Sequence, residues 1–326
     1  MINKSTSTGQ IVRRIKAKEI SPVYVLWGDD FLLQDIVIEH LREQFVPQGS
    51  KKTFHMGIDD EMSLMNDLTS LSLFDEKKLI IVKNVKKISS RYHKEILEYV
   101  SSYSLDTVLV FAVNDAYYKT KFIESVSLES TNVDTRVPFP SKMREWVNYK
   151  ARSEGIEISA HNLNLLIDLY GDKSINVYNE IIKLSLQYGD SVSDVDLSAY
   201  PRIKKDSQVW RLVDYVGKKD YRSAIRLYDS LYTNSIGIGI VIFNLFSLFR
   251  DMLISRVDKG QQKGKYIRNK ILLKNYNIYS NKYSMEENLS AIKFLRDCDL
   301  QSKTTSINQK ILLGIAILQI CEGKID

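Results

Sequence analysis

The stretch Val23-Tyr24-Val25-Leu26-Trp27-Gly28-Asp29-Asp30-Phe31-Leu32 decides the fold. Five apolar and aromatic residues make a short strand, Gly28 turns the chain, and from Asp30 to Phe45 the apolar residues return at helical spacing. Strand, turn and helix in this order open a nucleotide-binding α/β domain, and the turn carries the chemistry. Glycines are needed there because only they let successive backbone N–H groups wrap a phosphate. Here the turn is Gly28-Asp29-Asp30-Phe31. Two carboxylates stand where phosphates would lie, and like charges repel.

The other parts of a phosphate site are missing as well. G-x-x-x-x-G-K-[ST] occurs nowhere: Gly217-Lys218, Gly264-Lys265 and Gly323-Lys324 are followed by Lys219, Tyr266 and Ile325. After the apolar run Leu79-Ile80-Ile81-Val82, where a P-loop ATPase places an acid for Mg²⁺, the chain has Lys83-Asn84. Asn114-Asp115, after Val108 to Val113, reads as a strand-end turn without those two elements. No cofactor and no intrinsic ATPase activity are expected, and a divergent NTPase is the weaker alternative.

Outward from this stretch, strand-like and helix-like segments alternate. Thr53 to Met56, Leu79 to Val82, Val108 to Val113 and Arg136 to Phe139 read as strands, with helices around Asp60 to Leu68 and Tyr92 to Val100. This is an α/β pattern with a mostly parallel sheet. Ser141 is expected to cap a helix carrying Met143, Trp146 and Val147, and beyond it the strand signal stops. Helices follow over His161 to Tyr170 and Ile175 to Tyr188; Pro201 with Lys204-Lys205 marks a boundary, and Val209 to Glu322 reads as helical throughout. The expected division is an α/β domain over 1–140, a small helical domain over 141–208 and a helical domain over 209–326.

With 326 residues, 44% of them hydrophobic, the chain can bury more than one core. No apolar stretch is expected to reach the about 20 residues that span a bilayer, and Met1 to Thr6 lacks a signal-peptide core. A cytoplasmic protein without a membrane partner is the expectation. Cys298 and Cys321, both in helical patterns, read as core thiols, and His40, His55, His93 and His161 are too scattered for a metal site or a catalytic base. A net charge of +6 tolerates nucleic acid nearby without demanding it. An adaptor for nucleic acid remains an alternative, using Lys86-Lys87, Arg91 and Lys94, or Lys259 to Lys274 with Tyr266 and Tyr276 for stacking.

One apolar pair stands apart. Leu73-Phe74 lies in Ser70-Leu71-Ser72-Leu73-Phe74-Asp75-Glu76-Lys77-Lys78, a turn ahead of the Leu79 strand. Periodicity leaves two placements open, an exposed tip on the sheet's rim that meets a partner, or a core residue folded under the strand.

In these segments the sequence resembles the delta subunit family of bacterial DNA polymerase III, part of the sliding-clamp loader. The likeness rests on Val23 to Leu32, on Leu71-Ser72-Leu73-Phe74 with Lys78 to Asn84, on Asn179-Glu180-Ile181-Ile182-Lys183-Leu184, on Leu245 to Arg250 and on Leu295 to Leu300 with Ser302-Lys303. Their order and spacing carry it more than any one motif. Asp75, where the family more often has a small residue, departs from the pattern. The resemblance implies an AAA+-like first domain that binds no ATP, a small helical lid and a helical collar that joins the other loader subunits, gamma/tau and delta prime. It also implies a hydrophobic wedge, matching Leu71, Leu73 and Phe74, that grips the sliding clamp (beta) and opens its ring for loading on primed DNA.

Overall fold

Among the described residues, Val23–Trp27 forms the second of six strands in a sheet whose pairings are all parallel. The structure is a computed structural model; it describes residues 5–323 except 48–49, 71–76, 116–119, 172, 190–191, 198–200, 234–236, 259–266 and 268. The strands are β1 (Thr6–Ser7), β2 (Val23–Trp27), β3 (Ser50–His55), β4 (Lys78–Lys83), β5 (Thr107–Val113) and β6 (Thr131–Asp134), in the order β1-β6-β2-β5-β4-β3. Counted from β2, the five main strands run 5-1-4-3-2, the AAA+-like order. Every residue of β2 and β5 is buried, as central parallel strands covered on both faces require.

The two-residue period of a strand sorts these side chains into two cores. Val23, Val25, Trp27, Leu109, Phe111 and Val113 face one way, onto α3 (Glu61–Thr69), α4 (His93–Ser101) and α5 (Lys121–Leu128). Tyr24, Leu26, Val108 and Val110 face the other, onto α1 (Thr8–Lys16) and α2 (Phe31–Phe45). The edge strand β3 buries only Phe54 and turns Lys51 and Lys52 outward, where lysines discourage pairing with another chain.

The last expected strand is displaced. Thr131–Asp134, not Arg136 to Phe139, pairs with β2. Asn132 hides this strand from a hydrophobicity reading, yet it is buried because its Oδ1 accepts from Trp27 Nε1 at 2.7 Å. Pro138 offers no N–H to a ladder, and Phe139 is exposed. Helix α6 (Pro140–Ser153) begins with Pro140 in its first turn after Phe139 at the N-cap, so Ser141 lies inside the helix and does not cap it. Helices α1 and α5 were not foreseen.

The chain packs as two compact units, residues 1–155 with 173–182, and residues 156–172 with 183–326. The second is helical: α7 (Ala160–Tyr170), the later turns of α8 (Ser174–Tyr188), α9 (Pro201–Gly217), α10 (Tyr221–Thr233), α11 (Ile238–Val257), α12 (Lys270–Lys282), α13 (Met285–Thr304) and α14 (Gln309–Glu322). Helix α11 corrects the expectation that no apolar stretch is bilayer-long, since its 20 residues suffice by length and composition. Val241, Leu245, Leu248, Phe249 and Met252 bury it in the core of this unit, and Arg250 and Asp251 interrupt its apolar run. Cys298 and Cys321 are free and buried, and burial pushes their thiols up to about 11 and about 12.

Gly217, whose Gly217-Lys218 pair is followed by Lys219 and so makes no phosphate loop, has a packing role. A Cβ there would sit 2.7 Å from Cδ1 of Tyr279, whose ring lies on the glycine and whose hydroxyl donates to Asp214 Oδ1 at 2.5 Å. Asn275 Nδ2 donates to the same oxygen at 2.8 Å, and Lys218 Nζ pairs with Oδ2 at 2.8 Å. Asp214→Ala leaves the fully buried Tyr279 hydroxyl without its acceptor. It should cost about 1 to 3 kcal/mol in urea unfolding, and the loss should shrink when measured on a Tyr279→Phe background.

Candidate functional site

The turn after β2 is closed by the chain's own groups. Gly28 has φ +133°, and a Cβ on it would lie 2.3 Å from Arg136 N and 2.4 Å from Thr135 C. Glycine is therefore required for the approach of the backbone beyond β6, not for a phosphate. Gly28 N–H donates to Val113 O at 3.0 Å and Asp30 N–H to Thr135 O at 3.1 Å, while Gln34 Nε2 donates to Gly28 O at 2.8 Å. Gly28 and Asp30 thus spend their N–H groups on β5 and on the residue after β6.

Asp30 is wholly buried and serves two helices. Its Oδ1 accepts from Leu33 N at 3.2 Å, capping α2, and its Oδ2 accepts from Ser174 N at 3.1 Å, in the first turn of α8. Burial pushes this carboxyl above the usual carboxylate range, and the donors at Ser174 and Leu33 pull against that rise. Asp29 pairs with Lys173 at 3.2 Å, and the Lys173 ammonium lies 5.3 Å from the centroid of the Phe31 ring. Sequence reasoning gave Asp29-Asp30 only a repulsive part. The attractive part, a carboxylate seated where an anion belongs, needed Ser174, which is 144 residues away.

The first turns of α8 are tied to the α/β unit a second time. Tyr178 donates its hydroxyl to Glu154, and Lys150 pairs with Glu154 at 2.7 Å and with Glu39 at 2.8 Å. Burial alone would lower the Lys150 ammonium, but the two carboxylates outweigh it and hold its pKa above the usual lysine value.

Lys83 ends β4, and Asn114 directly follows β5. Asn114 accepts from Gln34 Nε2 at 3.4 Å, and Lys86 pairs with Asp115 at 2.8 Å. Tyr276, offered above as a stacking platform, is buried and donates its hydroxyl to Asp251 O at 3.1 Å, so it stacks on no nucleotide. Tyr266 lies outside the described residues, and so do Leu71, Leu73 and Phe74. On either side of that last segment, Ser70 and Lys77 are exposed, and Lys78 Nζ donates to Ser70 O at 2.8 Å.

Comparison with known proteins matches residues 24–132 to the DNA polymerase III delta subunit and residues 206–320 to the C-terminal domain of the same subunit. The chain belongs to the DNA polymerase III delta subunit family. Within that family, DNA polymerase III subunit delta of Bacillus subtilis is 22% identical over 333 residues, spanning 94% of this chain and 95% of the relative. The probable DNA polymerase III subunit delta of Aquifex aeolicus is 24% identical over 313 residues, 86% of each. The solved structure of the Bacillus subtilis DNA clamp loader delta protein superimposes with a TM-score of 0.69 over 97% of this chain and 99% of that one, at 16% identity, a likeness of fold. A delta-family chain thus carries an α/β sheet of AAA+-like order whose first strand-to-helix turn is closed by the Asp30 carboxylate.

Proposed function

We propose that this chain is the clamp-loader subunit that grips the sliding clamp (beta) and holds one interface of its ring open for loading on primed DNA, neither binding nor hydrolysing ATP itself. The observation that carries the proposal is the closed turn in a chain of the polymerase III delta family: Asp30 occupies the anion position at the start of α2 with a carboxylate that cannot leave. Nucleotide binding then falls to neighbouring subunits of a cytoplasmic assembly whose other members include gamma/tau and delta prime. The division into an AAA+-like domain (1–140), a lid (141–208) and a collar (209–326) is part of the same proposal.

The clamp-binding residues in this reading are Leu71, Leu73 and Phe74. Ring opening needs no chemistry, because a ligand that binds the open clamp better than the closed one shifts the population by its differential affinity. The exposure of Ser70 and Lys77, the described residues on either side, supports the reading. The pairing of Lys86 with Asp115 and the burial of Tyr276 weigh against a free-standing nucleic-acid adaptor.

Two titrations of the isolated chain test the proposal. Calorimetry with Mg·ATP should show no binding, and surface plasmon resonance on the immobilised clamp of the same organism should show tight, saturable binding. Absence of clamp binding by a folded chain would sink it.

A further inference from the structure

We infer that Asp30 is a built-in phosphate surrogate, holding the first turn of α8 to the sheet at all times, where an ATPase of this architecture would make that tie through a bound nucleotide. The inference rests on the reading above that the chain binds no ATP, and goes beyond it to what the closed turn does.

An ordinary N-cap residue needs one oxygen, which accepts from an N–H in the first turn of its own helix. Asp30 does this with Oδ1 toward Leu33, and its Oδ2 is turned away from α2 to take the N–H of Ser174. The carboxylate thus lies between the amino ends of two helices, each carrying partial positive charge, in a place without solvent. A negative, bidentate acceptor between helix amino ends is what a phosphate oxygen pair supplies at the mouth of an α/β sheet. Leaving a carboxylate fully buried is costly unless its oxygens are hydrogen-bonded, and here both are.

The surroundings fit a fixed tie better than a vacant pocket. Gly28 and Asp30 spend their N–H groups on Val113 and Thr135, and Gln34 covers Gly28 O, so no donor remains for a second anion at these residues. The Asp29 to Lys173 ion pair and the Lys173 contact on Phe31 bracket the bridge on the same two elements. Lys150, Glu154 and Tyr178 repeat the attachment one turn along α8. In a nucleotide-driven machine the corresponding contact is made and broken with each ligand cycle. In this chain the contact is still a pair of hydrogen bonds, but its acceptor is a side chain that does not dissociate.

The test is amide hydrogen exchange on the full chain, wild type against Asp30→Ala, each in sodium formate and in sodium chloride of equal ionic strength. Formate is the carboxylate that the alanine lacks. In Asp30→Ala the amides of Ser174 and Leu33 should exchange about tenfold faster or more, and formate but not chloride should restore protection, with no effect of either salt on the wild type. Unchanged exchange at Ser174, or equal action of the two salts, would overturn the surrogate role. If Asp30→Ala does not fold, Asp30→Asn serves, because its one acceptor oxygen can keep Leu33 while its amide faces Ser174 with a donor. Protection should then be lost at Ser174 alone, and retention at both positions would overturn the inference. A parallel Mg·ATP titration of the wild type separates the two ideas: ATP binding defeats the no-nucleotide reading, whereas no ATP binding with unchanged exchange defeats the surrogate alone.

Discussion

Replacing Leu73 and Phe74 together by alanine should weaken binding to the sliding clamp by about 3 to 6 kcal/mol, roughly a hundredfold to ten-thousandfold. The figure follows from about 1.5 to 3 kcal/mol for each large apolar side chain moved from water into a pocket, before the ordering costs that both forms share. Anchors of this kind usually dominate an interface, so a small contact list can carry most of the affinity. Leu71→Ala should have a lesser effect in the same direction. Surface plasmon resonance on the immobilised clamp measures the loss, and urea unfolding of the same variants decides its meaning. A wedge lying on the surface loses binding and keeps the unfolding midpoint. If Phe74 were instead folded under β4 (Lys78–Lys83), its removal would also cost about 3 to 5 kcal/mol of stability, the expense of a core cavity. Wild-type clamp affinity in a folded double variant would remove these residues from the clamp interface altogether.

Much of the first unit was legible in the sequence because its strands are central. A buried parallel strand writes itself as an unbroken apolar run, and β2, β4 and β5 do so. The element that escaped, β6, is short and polar at Asn132, whose burial depends on a bond to Trp27 from a distant part of the chain. Helix α1 was legible too, because Ile11, Val12 and Ile15 share its buried face and Arg13, Arg14 and Lys16 its exposed one, but at nine residues it is short. The absence of a phosphate loop was legible from the residues of one turn. What replaces the phosphate was not, since the second partner of Asp30 lies in α8 and only the fold brings Ser174 to it. Tyr276 erred in the opposite direction. Its sequence neighbourhood is basic and polar, and its burial follows from the packing of α12 within the helical unit.

Gly28→Ala is expected to be the most damaging single substitution in the α/β unit, costing more than about 4 kcal/mol. Two terms add. Alanine at φ +133° is strained by about 1 to 3 kcal/mol wherever it occurs. The new methyl would also lie 2.3 Å from Arg136 N and 2.5 Å from Thr135 O, which are backbone atoms and cannot swing aside as a flexible side chain could. Relief requires β2 and the strand exit after β6 to separate. That would strip the N–H bonds that Asp30 and Thr135 make to Thr135 O and Trp27 O, and with them the geometry that points the Asp30 carboxylate at Ser174. Gly155→Ala supplies the control. It has φ +79° and nothing within 4 Å of its Cβ position, so it carries the conformational term alone and should cost only about 1 to 2 kcal/mol. Chemical denaturation of the two variants beside the wild type separates the terms. Equal losses would mean that the close backbone approach at Gly28 is dispensable, and that the closed turn does not depend on it.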